Sequence, residues 1–228
     1  AAYKNADMPL KAVPTLRDLL ARVPAEDKAL RTEYAYELGM ALLSAEPYTG
    51  GVKELAGILD SLEPQKKNGV MKKVYDLAES LSDGGKPRQA YNMLAALHSA
   101  RPTWDGREWS AKFQALHKRL FAALLSQSLK GLASEDDKAR AEAVVTLRSL
   151  GKPALPALLD ALEEAATESK KKFEERLLDF LKAEHAKAYD PALPLEKKKE
   201  TIQEWRKALA TKPPEKPAAA KTGDETRE

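Results

Sequence analysis

Residues 136–162 read DDKARAEAVVTLRSLGKPALPALLDAL, and this stretch has the pattern of two helices joined by a tight turn. Ala143, Leu147 and Leu150 stand at positions i, i+4 and i+7, which places them on one apolar face of a helix. Gly151 follows at once and suits the left-handed position that often ends a helix. The stretch therefore predicts a helical hairpin.

The composition of the whole chain extends this prediction to an all-α fold. The 228 residues include 38 Ala and 33 Leu but only 7 Val and 2 Ile. Strands favour β-branched and aromatic residues, whereas Ala and straight-chain residues lose little entropy in a helix. The doubly wound nucleotide-binding folds are disfavoured as well, because their buried parallel strands need Val and Ile.

Helical periodicity continues with few interruptions from residue 14 to about residue 211, and Pro or Gly marks most of the breaks. Because short loops make neighbouring helices antiparallel, we expect an α-solenoid, a right-handed superhelix of antiparallel helix pairs. The pattern predicts about ten helices, at residues 14–22, 26–45, 50–62, 66–82, 86–99, 107–131, 135–150, 153–166, 168–188 and 195–210.

The first half of the chain contains a repeat pattern based on small residues. Ala78 and Ala90 are 12 positions apart, on either side of a Gly-rich turn. This spacing resembles that of a tetratricopeptide repeat, in which small residues let the two helices of a pair approach closely. Residues 33–64, with Gly50 and Gly51 as the expected turn, resemble a degenerate preceding copy.

The second half resembles a different repeat. Asp136, Arg140 four positions later, and Pro153 at the start of the next helix resemble a HEAT-like repeat of bacterial proteins. The resemblance implies that Asp136 and Arg140 bridge along their helix or to a neighbouring repeat. The Tyr-Asp-Pro sequence at 189–191, followed by Trp205, is similar to the end of some bacterial HEAT-like proteins. We expect Trp205 to seal the last apolar face, since repeat proteins need caps.

These resemblances divide the chain into four parts. Residues 1–13 are an irregular N-terminal arm, and residues 14–133 form tetratricopeptide-like hairpins. Residues 134–211 form HEAT-like repeats with a closing helix. Residues 212–228 are rich in Pro and small residues, which cannot bury enough apolar area to offset the entropy of ordering. We expect this last part to be a disordered tail or a linker.

Charged residues in the second half are expected to lie on solvated helix faces. Glu174 and Glu175 stand at helical spacings from Lys170–Lys172, and such pairs contribute about 0.2–0.5 kcal/mol each. Lys197–Lys199 has the same character and suggests the exposed start of a helix. Neither pattern indicates the enclosed pair of carboxylates that hydrolysis requires.

Several classes of function are not expected from these residues. The formal net charge of +3 is spread over a mixed surface, unlike the concentrated basic face of a nucleic-acid binder. The chain has no Cys, and His98, His117 and His185 do not stand at metal-ligand spacings. The sequence contains no run of roughly 18 apolar residues, which is the length that a membrane-spanning helix needs. We therefore expect no catalytic residue, no cofactor and no metal.

The compartment is left open. Without Cys the redox environment is undetermined. The sequence begins at Ala1 rather than Met. If this reflects removal of a signal peptide, the expected location is the periplasm or outside the cell.

One cluster of residues has the composition of a recognition site. Trp104, Trp109, Arg101 and Arg107 lie close in sequence, and aromatic residues and Arg are enriched at binding hot spots. Tyr34 is a weaker candidate on an earlier helix. The alternative is that both tryptophans pack the junction between the two types of repeat.

From this architecture we expect a non-enzymatic scaffold, or a structural subunit of a multi-protein complex. In either role the protein would bind a protein or peptide partner on its helical-repeat surfaces. The alternative that the HEAT-like resemblance implies is a nucleic-acid-binding protein, including a base-excision enzyme. That role requires Lys and Arg on one concave face, with Asp and aromatics in the cleft. A lyase or pigment-attachment role is implied by the same resemblance alone.

Overall fold

A computed structural model describes residues 9–44, 46–103, 107–168, 170–181 and 189–211. Within these ranges the chain forms α-helices, three short 3-10 helices and no strand. The all-α class predicted from composition is confirmed, as is the number of helices. In the described part of the chain, no helix is both long enough and apolar enough to cross a bilayer.

The helices begin and end near the predicted residues. They are α1 (Val13–Arg22), α2 (Lys28–Leu42), α3 (Thr49–Ile58), α4 (Pro64–Asp83), α5 (Pro87–Ala100), α6 (Arg107–Ala133), α7 (Asp137–Leu150), α8 (Leu155–Thr167), α9 (Lys171–Leu181) and α10 (Leu195–Thr211). The last residues predicted for α9, 182–188, lie outside the described residues, as do residues 1–8 of the predicted arm and the predicted tail, 212–228.

The chain forms two compact units. Unit 1 contains Ala1–Ser128 with Val145–Leu150, and unit 2 contains Leu129–Val144 with Gly151–Glu228. The four-part division by type of repeat, and the handedness of a superhelix, stay predictions.

Unit 1 is built from helices that pack on their neighbours in the chain. Helix α2 packs against α1 and α3, and α5 packs against α4 and also against α3. Such packed neighbouring pairs are the arrangement expected of a solenoid-like fold. The largest fully buried side chains of this unit include Leu38, Leu43, Leu55, Leu59, Met71, Met93, Leu94, Leu97, Phe113 and Leu120.

Two glycines allow α2 and α3 to touch. A Cβ atom on Gly51 would lie 2.7 Å from the carbonyl oxygen of Gly39 and 2.8 Å from the backbone nitrogen of Leu43. The prediction that Gly50 and Gly51 form a turn is wrong, because both lie inside α3. Gly51 is needed for the helix contact instead. Its distance of 12 positions from Gly39 matches the spacing of the small residues at 78 and 90.

Replacing Gly51 by Ala is expected to destabilise the protein by about 1–3 kcal/mol, because the added methyl group overpacks the contact between two backbones. The matched control is Gly57→Ala on the same helix, where an added Cβ meets nothing within 4 Å. There the helix propensity of Ala should stabilise by roughly 0.5–1 kcal/mol. Urea unfolding followed by circular dichroism measures both changes. A neutral Gly51→Ala variant would contradict the close contact.

Unit 2 packs α8 against α9 and α10. Gly151 has the positive φ that the sequence predicted, +65°, but its ψ of −153° is that of an extended glycine rather than of the left-handed helical region. Pro153 lies in a 3-10 turn, Lys152–Ala154, directly before α8. The largest buried side chains here include Leu158, Leu159, Leu162, Leu177, Leu178, Leu181, Ile202 and Trp205.

Among the described residues, Asp136 and Arg140 do not form the predicted bridge with each other. The Asp136 carboxylate accepts a hydrogen bond from the backbone N–H of Lys138 at 2.9 Å and so caps the start of α7. Arg140 pairs with Asp137 instead and donates to the carbonyl oxygen of Ser134 at 3.0 Å. The bridge fails because an Asp at the start of a helix is drawn to the unpaired backbone N–H groups there.

Candidate functional site

Three aromatic rings of unit 1 form a cluster between α4 and α6. The ring centroids are 6.1 Å apart for Tyr75 and Trp109, 5.7 Å for Tyr75 and Phe113, and 5.8 Å for Trp109 and Phe113. Phe113 is completely buried, whereas Tyr75 and Trp109 are half-buried. We call these three residues the aromatic ridge. Its buried member fixes the two rings that reach solvent.

The sequence of α6 explains how the ridge is placed. Trp109 and Phe113 are four residues apart, so their side chains lie on the same face of the helix. The indole N–H of Trp109 donates to the Oδ1 of Asn68 at 3.3 Å. Lys112 places its ammonium 4.9 Å from the centroid of the Trp109 ring. A cation over an indole face is attracted by the ring quadrupole, and these two polar side chains border the indole.

Charged side chains continue this border along α4 and α6. The Tyr75 hydroxyl donates to the Oε1 of Glu79 at 2.9 Å, and an Arg119 guanidinium nitrogen lies 3.9 Å from the same carboxylate oxygen. Burial, together with the Glu79 carboxylate, raises the pKa of Tyr75, so its hydroxyl keeps its proton as a donor. The ridge therefore presents apolar rings inside a polar rim, which is how binding surfaces are organised.

Of the residues predicted for recognition, Trp109 lies in this ridge, but Arg101 serves another contact. Arg101 follows α5 and donates to the carbonyl oxygen of Ala56 at 3.0 Å, and it pairs with Asp60 at 2.7 Å. Its side chain is only 19% exposed. These contacts tie the end of α5 to the end of α3, whereas Trp109 contacts α4. Arg101 thus contributes to helix packing, and its predicted role in recognition stays a prediction.

Of the other three predicted residues, the structure describes only Tyr34 in full. Tyr34 is half-buried on α2. Trp104 lies outside the described residues, and so does the side chain of Arg107, whose backbone begins α6. The sequence did not single out Tyr75 or Asn68 as members of a site. Both come from α4, more than thirty positions before Trp109 in the chain, and no local pattern joins them to it.

A second aromatic contact in unit 1 contains two histidines. The ring of His117 on α6 stacks on Tyr91 of α5, with centroids 4.8 Å apart and an interplanar angle of 24°. His98 lies 6.2 Å from His117. Burial, and then the charge of His98, lowers the pKa of His117. No group of three metal-ligating side chains occurs among the described residues, and His185 lies outside them.

The protein is expected to lose stability when the pH falls below about 6.5, the pKa of an unperturbed His. Because the folded-state pKa of His117 is lowered, the unfolded chain binds more protons in the window between the two pKa values. The stability that the neutral His117 contributes is fully present above its unfolded-state pKa and is lost as the pH falls through its folded-state pKa. Melting temperatures of the wild type and of His117→Gln, measured from about pH 7.5 to about pH 5, test this. We expect the wild type to fall more steeply; parallel curves would count against it.

Unit 2 holds a buried ion pair that was predicted to be solvated. Glu174 on α9 is fully buried. It accepts a hydrogen bond from the Tyr189 hydroxyl at 2.6 Å and forms an ion pair with Lys198 of α10 at 2.8 Å. The predictions of an exposed Glu174 and an exposed Lys198 are therefore wrong. Burial and the hydrogen bond to Glu174 raise the pKa of Tyr189. The three groups satisfy one another, so we interpret them as a structural cluster that joins α9 and α10.

Comparisons of this sequence with protein-family models and with curated proteins, and of its fold with solved structures, find no match. The resemblance to tetratricopeptide and HEAT-like repeats therefore stays a prediction from the sequence.

Proposed function

We propose that this protein is a scaffold or complex subunit that binds a partner protein or peptide through the aromatic ridge of unit 1. The observation that carries the proposal is the half-exposed Trp109 ring, supported from below by the buried Phe113. Hot spots of protein interfaces are enriched in Trp, Tyr and Arg that are held in place by well-packed neighbours.

The polar groups around the ridge support the same proposal. Asn68 and Lys112 border the indole, and Glu79 with Arg119 borders Tyr75. A rim of this kind remains hydrated and excludes water from the centre once a partner is bound. The alternative, in which Trp109 only packs the helices, predicts a loss of stability without a loss of binding when the ring is removed.

The proposal is tested by affinity purification of the tagged wild type, followed by quantitative mass spectrometry. The same experiment is done with Trp109→Ala and with a matched control, Phe180→Ala, which removes a half-buried aromatic ring from α9 in unit 2. We expect one or more proteins to co-purify with the wild type and with Phe180→Ala, and to be lost with Trp109→Ala. Equal recovery with all three chains would overturn the proposal, as would the recovery of no partner at all.

A further inference from the structure

Unit 2 contains a cleft of about 550 Å³ that the proposed function does not use. The cleft is more open to solvent than an enclosed pocket for a small molecule. The lining combines four cations with one carboxylate and one aromatic ring: Lys170, Lys171, Lys172, Arg176, Glu135 and Phe173. The lining therefore holds more cations than carboxylates, although the chain as a whole is nearly balanced in charge.

Arg176 and Glu135 fix one side of this cleft. The Arg176 guanidinium donates to the carbonyl oxygens of Leu132 and Ser134, both at 2.9 Å, and lies 3.4 Å from a Glu135 carboxylate oxygen. Its side chain is only 21% exposed. The charges of Lys172 and Arg176 lower the pKa of Glu135. On this side the Arg176 cation is thus held by two backbone carbonyl groups and is already matched by the Glu135 carboxylate.

The lysines of the lining carry the excess charge. Lys170 pairs with Glu168, so the excess positive charge lies on Lys171 and Lys172. Lys172 reaches the shared Glu135 only at 3.6 Å, and its side chain remains 75% exposed. Lys171 is exposed as well. Both residues stand in the first turn of α9, where the helix dipole favours negative charge, so two cations there are locally unfavourable. Sites that break such a local preference are frequently functional.

We infer that this cleft binds a short acidic segment of a partner protein. Carboxylates of that segment pair with Lys171 and Lys172, and an apolar side chain rests against the half-buried ring of Phe173. A peptide fits better than a nucleic acid, because nucleic-acid binding requires a basic stripe that tracks many phosphates. Here the cleft has four lining cations rather than a long stripe, and it also holds Glu135 and one apolar ring. The site is independent of the aromatic ridge.

The test uses the full chain and a fluorescein-labelled peptide of sequence EELEELEE, with binding followed by fluorescence anisotropy. The double variant Lys171→Glu/Lys172→Glu is compared with Lys197→Glu/Lys207→Glu, which makes the same change in net charge on exposed positions of α10. We expect the first pair to weaken binding by about tenfold or more, corresponding to roughly 1.4 kcal/mol. The control pair should change the affinity by less than about threefold. Circular dichroism establishes that both variants fold.

Further arms of the experiment separate the competing outcomes. Trp109→Ala is expected to bind the acidic peptide as the wild type does, so that failure of the aromatic ridge and failure of this cleft can be told apart. The inference is overturned if the wild type does not bind the peptide at low salt, or if both double variants lose affinity equally. It is also overturned in favour of a nucleic acid if a single-stranded oligonucleotide binds more tightly than the peptide and depends on the same two lysines.

Discussion

Replacing Glu174 by Ala is expected to lower the free energy of unfolding by about 3–5 kcal/mol, the usual cost of breaking a buried ion pair from one side. The change leaves the ammonium of Lys198, whose side chain is only 10% exposed, without its carboxylate. It also removes the acceptor of the buried Tyr189 hydroxyl. Each group left unsatisfied in the interior adds its own cost of desolvation.

The neighbouring residue provides the control for this prediction. Glu175 is exposed on the same helix, so Glu175→Ala should change stability by no more than about 0.5 kcal/mol. Urea unfolding of both variants, followed by circular dichroism, makes the comparison. Replacing the pair together, Glu174→Leu with Lys198→Met, should recover the part of the loss that comes from the unpaired Lys198 charge, because apolar residues of similar volume often replace a buried pair without cost. The part that comes from the Tyr189 hydroxyl should remain, because that group still lacks its acceptor. Similar small effects for Glu174→Ala and Glu175→Ala would show that the pair is not buried.

Replacing Trp205 by Ala is expected to cost about 3–5 kcal/mol, the range for removing a large aromatic side chain from a core. Trp205 is only 2% exposed, and its ring lies 5.9 Å from that of Tyr189. Trp109→Ala should cost less, since Trp109 is half-buried and part of its surface already faces water. Thermal unfolding of the two variants ranks them. The reverse order would mean that Trp109, not Trp205, is the packing residue.

The helices could be predicted from the sequence because their signals are local. Apolar periodicity defines each helix, and Pro and Gly mark its ends. Gly51 shows where this reasoning fails: two adjacent glycines usually mark a turn, but this one lies where α3 meets Gly39 of α2. Only the packing of two helices reveals that a side chain would not fit.

The buried partners of Glu174 and the side chains around Trp109 were harder to predict, because their contacts join separate helices. Glu174 lies among lysines at helical spacing, yet its partners, Tyr189 and Lys198, come from more distant parts of the chain. Trp109 could be recognised as a candidate from its residue type, but the side chains around it come from α4. Contacts between separate helices depend on tertiary packing, which a single sequence does not encode in any local spacing.

The most direct test of the central claim is the affinity of the purified protein for a partner that co-purifies with it, measured by biolayer interferometry for the wild type and for Trp109→Ala. If the aromatic ridge is the binding surface, removal of the indole should cost at least about 2 kcal/mol, the threshold for a hot spot, or roughly thirtyfold in Kd. The melting temperature of the variant, measured on the same sample, separates binding from packing. An unchanged Kd for Trp109→Ala would contradict the claim that this protein acts as a scaffold through the aromatic ridge.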